Sequence, residues 1–252
     1  MAERDAAMMK ETYSGKLIVF EGIDGAGKTT QAHELILSLN KLGHDIQLHH
    51  EPNYSPWGEK LRKALKRGKR LDPDEELELF IKDRKYDVEN HILPDLKLGK
   101  TVIMDRYFFA TAAYQGARGT ISPEEILRIN RYFAPEPDIV FLLDINPAEG
   151  IKRIRLRGDN PNIFEREKYL EKVREIYLQI LWEEKNAIIL DGSSPIKTIS
   201  DTVFEIVLNY FDQGVQVLEE WRSGETSREN KEVVITIPTL RKRIEANGRL
   251  SL

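Results

Sequence analysis

The sequence predicts an α/β fold, a doubly wound parallel sheet of about five strands with helices on both faces. Three observations lead there. Four short runs, KLIVF at 16–20, TVIM at 101–104, DIVFLL at 138–143 and AIIL at 187–190, are apolar without alternation, as in parallel strands covered on both sides. Amphipathic stretches separate these runs, which gives strand–helix alternation with right-handed crossovers. A glycine-rich turn follows the first run directly and opens a helical pattern.

Residues 1–14 are charged throughout and lack an apolar core. They read as a disordered segment and not as a secretion signal. The first strand runs into FEGIDGAGKTTQ at 20–31. A helix over 28–42 places Leu35, Ile36, Leu39 and Leu42 on one stripe, and Gly43 suits its C-terminal cap. DIQLHH at 45–50 is a weaker fifth strand. Residues 73–98 begin at Pro73, a good first-turn residue, and Pro94 is expected to kink or end that helix. A helix over 122–134 opens on SPEE, with a capping serine and acids in the first turn. Further helices are expected over 146–157 and 164–185. Most strands end at a carboxylate: Glu21, Asp105, Asp144 and Asp191. In parallel sheets ligands bind beyond the strand C-termini, so these acids either face the ligand crevice or simply mark strand ends. The pattern weakens after 211. The sequence therefore divides into a domain over 15–211 and a C-terminal extension over 212–252, with a short helical pattern and a strand-like VVITI.

With 40% apolar residues the chain can bury a real core, and its near-balanced charge, a net −4, argues against a nucleic-acid binder. No cysteine is present, which removes disulfides and thiolate metal sites and fits a reducing, cytoplasmic setting. No apolar run approaches the ~20 residues of a membrane-spanning helix.

Gly22, four residues, then Gly27-Lys28-Thr29 satisfy the phosphate-loop template G-x-x-x-x-G-K-S/T. Glycines let backbone N–H groups curl around phosphates, and the helix N-terminus adds its positive dipole end. Gly22, Asp24, Gly25, Ala26, Gly27, Lys28, Thr29 and Thr30 would cradle ATP, with Lys28 on the β- and γ-phosphates. Thr29, with Asp105 as a second candidate, would ligate Mg²⁺. The cradle alone does not separate switches, motors and kinases. NKLG at 40–43 is not a guanine reader, and TVIMDRYFF carries one acid followed by arginine rather than an acidic pair.

Several ordered segments between about Lys16 and Tyr210 resemble the thymidylate kinase family. They are the loop, HEPNYSPWGEKLRKAL at 50–65, ELELFIKDRKYDVENHILPDLKLGKTVIMDRY ending at 107, TAAYQGA at 111–117, PDIVFLLDINPAEGIKRI and FEREKYLEKVREIYLQI. The resemblance implies a P-loop nucleoside monophosphate kinase that makes dTDP from dTMP and ATP and pairs with a second copy as a homodimer. It implies that Asp24 meets the acceptor's sugar, Phe80 stacks on the pyrimidine, Arg84 grips the acceptor phosphate and Arg106 bridges both phosphate groups. Tyr114 would crowd the 2′ position, with Gln115 shaping the base pocket beside it. By pattern alone Phe80 reads as core, Arg84 as a surface arginine and Tyr114 as a half-buried aromatic. A lid over about 153–166 would supply an arginine, from Arg153, Arg157 or Arg166, because the loop offers Ala26.

The chain departs from the family pattern at His50, Ala110, Asn162 and Ile163. A kinase for another deoxynucleoside monophosphate, and a nucleotide sensor acting through residues 212–252, therefore stay open on sequence.

Overall fold

The computed structural model describes residues 13–66, 71–156, 158, 163–225, 231–236 and 239. Five parallel strands, β1 (Lys16–Glu21), β2 (Ile46–His50), β3 (Thr101–Asp105), β4 (Ile139–Asp144) and β5 (Ala187–Asp191), form one sheet in the order β2-β3-β1-β4-β5. β1 and β4 are buried almost from end to end, as unbroken apolar strands require when both sheet faces are covered. β2 is only half-buried, which explains why its sequence signal is weak. The chain moves to one side of β1 for β3 and β2 and to the other for β4 and β5. The crevice at this switch point is where the first loop emerges.

The helices are α1 (Lys28–Lys41), α2 (Pro56–Lys66), α3 (Pro73–Asp87), α4 (Leu93–Lys97), α5 (Phe108–Arg118), α6 (Pro123–Arg131), α7 (Pro147–Leu156), α8 (Ile163–Trp182), α9 (Ile196–Gln213) and α10 (Gln216–Ser223). Their starts follow local chemistry. The Asp72 carboxylate accepts from the N–H groups of Asp74 and Glu75 at 3.0 and 3.4 Å, and Ser122 Oγ accepts from Glu125 N–H at 3.2 Å. Leu35 and Leu39 of α1 are buried as expected, but Leu42 lies past the last turn and is exposed. Pro94 neither ends nor breaks the long helix. A single π turn over Val88–Ile92, in which Leu93 N–H reaches Val88 O, absorbs the missing donor, and α4 continues through the proline.

Residues 1–12 lie outside the described residues, but Tyr13 packs against the core. The boundary expected at 211 falls inside α9. Beyond it, Val217, Leu218 and Trp221 of α10 are fully buried, and Arg222 donates to the carbonyls of Trp182, Glu184 and Ala187. Val233, Val234 and Ile235 are buried as well, and Ile235 N–H donates to Ile189 O at 2.8 Å along the edge of β5. Within 212–252, α10 and residues 233–235 are thus built into the body rather than appended to it. No helix among the described residues is long and apolar enough to cross a membrane.

Candidate active site

The loop between β1 and α1 turns on glycines with positive φ: Gly22 at 141°, Gly25 at 84° and Gly27 at 102°. A Cβ at Gly25 would stand 2.4 Å from Gly150 O, so α7 seats the loop from one side. At Gly27 a Cβ would meet nothing within 4 Å, which leaves the entrance to α1 open. No side chain caps α1 and its first turn carries no acid. Its leading N–H groups therefore stay available to an anion, reinforced by the helix dipole. Lys28 is buried, and its ammonium donates to Gly22 O and Ile23 O, both at 3.0 Å. Burial first, then the charge of Arg106, lowers its pKa to about 8.

β3 brings a second set of groups to the loop. Phe20 pairs in register with Asp105, so the end of β3 lies level with the start of the turn. Thr29 Oγ1 hydrogen-bonds Asp105 Oδ2 directly. Hydroxyl and carboxylate together suit a hard divalent cation such as Mg²⁺. Arg106 is the one non-glycine residue with positive φ, 74°, among the described residues. This costly backbone turns its guanidinium back over the loop. There it donates to Asp24 Oδ1 at 2.6 Å and lies 5.0 Å above the Tyr114 ring. Tyr114 OH accepts from Asp24 N–H at 3.0 Å. Asp24, Arg106 and Tyr114 thus form one unit across three segments of chain.

A family model for thymidylate kinase matches residues 20–203. The chain belongs to the thymidylate kinase family. The thymidylate kinase of Xanthomonas oryzae pv. oryzae is 44% identical over 194 residues, 77% of this chain and 83% of the relative. The probable thymidylate kinase of Archaeoglobus fulgidus is 39% identical over 196 residues, 78% and 96% of the two chains. That of Xylella fastidiosa is 40% identical over 194 residues, 77% and 87%. The fold and the loop read from sequence agree with that membership.

Not every residue that the resemblance to thymidylate kinases singles out reaches the loop. Phe80 is half-buried on α3 and stands outside the core cluster, contrary to the pattern reading of it as core. Arg84 is not a surface arginine, and its guanidinium is not presented to the crevice. It is 1% exposed and donates to both Glu51 oxygens through Nε at 2.9 and 3.0 Å, to Asn130 Oδ1 at 2.6 Å and to Thr111 Oγ1 at 2.8 Å. Burial raises Glu51 to about 7, while the charge and bonds of Arg84 pull against that rise. A guanidinium so engaged has few donors left for a phosphate, which argues against the grip expected of Arg84. Gln115 is buried beside Tyr114, and its Oε1 has no protein partner.

Arg153 reaches toward the far side of the loop. It donates to Glu149 at 3.1 Å and to Gly192 O at 3.0 Å. Arg157, residues 159–162 and the side chains of residues 163–166, Arg166 among them, lie outside the described residues.

Of the strand-end carboxylates only Asp105 engages the loop. Glu21 is fully buried beneath it. Asp144 is held by Arg174 of α8 through two bonds of 2.5 and 2.7 Å, and Asp191 accepts from Ser193. Sequence reading missed Glu51, Thr111, Asn130, Arg174 and Tyr177 as partners of these groups. Glu51, Thr111, Arg174 and Tyr177 lie within segments that carry the family resemblance, but only their meeting in the fold reveals what they hold.

Proposed function

We propose that this chain transfers the γ-phosphoryl group of ATP to dTMP, giving dTDP and ADP, and that Mg²⁺ accompanies the nucleotide. Membership of the thymidylate kinase family over residues 20–203 carries the reading. A phosphate-binding loop over which Arg106 is held between Asp24 and Tyr114 supports it. The acceptor's phosphate is already an oxyanion near neutral pH, so no general base is needed, and catalysis reduces to positioning and charge neutralisation.

In this reading the loop N–H groups and Lys28 hold the donor's phosphates. Lys28 leaves the carbonyls of Gly22 and Ile23 to do so. Arg106, at the junction of loop and β3, faces the acceptor phosphate and offsets the charge shared by the two polyanions. Asp24 orients Arg106 through their 2.6 Å contact and, on the family analogy, meets the acceptor's sugar. Tyr114 bounds the sugar pocket, Phe80 offers a ring to the pyrimidine and Gln115 offers an unpaired acceptor. Arg84 holds the Glu51 segment in place from within. Thr29 and Asp105 would hold Mg²⁺, which when bound screens phosphate charge. Arg153 and Arg157 stand as lid candidates. Pairing with a second copy of the chain and a cytoplasmic location complete the proposal.

A coupled assay of ADP release, run with dTMP, dUMP, dCMP, dGMP and dAMP under saturating ATP, tests it. dTMP should be the preferred acceptor. Preference for another monophosphate, or ATP binding without turnover, would reject the proposal. Family membership over residues 20–203 weighs against the sensor reading, and in the extension Trp221 and Val233–Ile235 are buried and closed to a partner.

A further inference from the structure

Glu21 is a buried acid for which the resemblance names no role. It is the last residue of β1, 0% exposed, directly beneath the loop. Its Oε1 accepts from Tyr107 N–H at 2.9 Å and Ala110 N–H at 3.2 Å. Its Oε2 accepts from Tyr177 OH at 2.8 Å. The first two donors belong to the start of α5, which has no side-chain cap of its own. β1 therefore supplies across the sheet the cap that α5 lacks. Arg106 lies immediately before these donors, pinned on its other side by its own N–H to Phe20 O at 3.0 Å. Its positive φ is thus held between two fixed points. Tyr177, the third partner of Glu21, meets the Tyr114 ring edge-on with centroids 6.4 Å apart.

We propose that Glu21 is a positioning residue for Arg106: bound to the first turn of α5, its carboxylate keeps the strained backbone that aims this guanidinium between Asp24 and Tyr114. A neutral residue could cap α5. Burial raises its pKa to about 7, while the charges of Arg106 and Lys28 and the bonds from Tyr177 and Tyr107 act against that rise, so a carboxylate also answers the two cations above it. The kinetic consequence rests on the function proposed above, with Arg106 at the acceptor phosphate.

The test compares Glu21→Leu, Glu21→Gln and Tyr177→Phe in the full chain, each alone and with Arg106→Gly, which removes the guanidinium but accepts positive φ. Glu21→Leu should lower kcat/KM for dTMP by about 100-fold, the cost of misplacing a group by about 1 Å. Its Kd for a non-hydrolysable ATP analogue should stay within about threefold. Glu21→Gln, which keeps an oxygen for the two backbone donors, should recover about tenfold of that loss. With Arg106→Gly present, each further change should be less than about threefold, because residues acting through one group are non-additive. Losses that multiply in that background would overturn the inference. So would a lowered Tm with unchanged kinetics, the mark of a cap and nothing more.

If Glu21→Leu does not fold, Glu21→Gln and Tyr177→Phe carry the same cycle. Absence of dTMP-dependent ADP from the wild-type chain would reject the proposed function and leave this inference to a direct readout. The Arg106 Nη2–H signal in ¹⁵N NMR, assigned by its loss in Arg106→Gly, should be protected from exchange in the wild type, where Nη2 donates to Asp24 and Tyr114, and lose protection in Glu21→Gln. An unchanged signal would overturn the positioning role.

Discussion

Replacing Arg84 by methionine separates the two readings of that residue. Methionine keeps much of the volume and removes the charge. The Glu51 carboxylate, 6% exposed, then loses all its guanidinium donors, and Asn130 and Thr111 each lose one. Breaking a buried ion pair from one side costs about 3–5 kcal/mol, chiefly because the remaining charge is stranded. For a chain of this size about 1 kcal/mol corresponds to about 2–4 °C in Tm. Arg84→Met should therefore lower Tm by about 6–20 °C, measured by circular dichroism at pH 8. Adding Glu51→Gln removes the stranded charge and should restore part of the loss. Since Glu51 can also escape by taking up a proton, the deficit of the single variant should shrink on going to pH 5.5. An unchanged Tm with a sharply raised KM for dTMP would refute the reasoning. It would return Arg84 to the phosphate grip that the resemblance suggests.

Four further outcomes are expected. Tyr114→Phe loses the hydroxyl that links Asp24 N–H and Arg106, and kcat/KM for dTMP should fall about 2- to 10-fold with ATP affinity unchanged. Lys28, held at about 8 chiefly by burial, is largely neutral in the free protein at pH 8.5, whereas bound phosphates favour its ammonium. Calorimetry in buffers of different ionisation enthalpy should then show net proton uptake on ATP binding at pH 8.5 and none through Lys28 at pH 6.5. Glu21 is raised from 4.5 to about 7, mainly by burial, so its contribution to stability is complete below 4.5 and lost as pH rises through 7. The Tm of wild type minus that of Glu21→Gln should accordingly decrease from pH 5 to pH 8. Trp221→Ala should cost about 3–5 kcal/mol in chemical denaturation, because the indole is fully buried although it lies past the family match.

The sheet was legible because β1, β3, β4 and β5 are unbroken apolar runs, and β2 was faint because half of it faces outward. The loop was legible because its chemistry is contiguous: glycines, Lys28 and Thr29 must adjoin one another to wrap a phosphate. Helix limits were read well where caps are local, as at Ser122, and poorly at Pro94, where a π turn compensates for what proline lacks. Arg84 shows the limit of local reading. Its spacing on α3 fits a surface or a site equally, and only Glu51 and Thr111, 33 and 27 residues away, decide that it is buried. Glu21 was visible as a strand-end acid, but nothing local tells whether such an acid faces the crevice or lies beneath it. The extension past 211 stayed open in sequence because Trp221 and Val233–Ile235 are short apolar groups in polar surroundings. They acquire meaning only against β5 and α9.

The contact of Ile235 with Ile189 bears on how this polypeptide should be trimmed. A fragment ending where family similarity stops, at residue 203, would strip away the indole-bearing helix and lay bare the outer rim of β5. Such a rim recruits strands from neighbouring copies, so the shortened product should polymerise rather than behave as a minimal catalytic unit. A fragment carried through Thr236 should keep that rim covered and stay monodisperse.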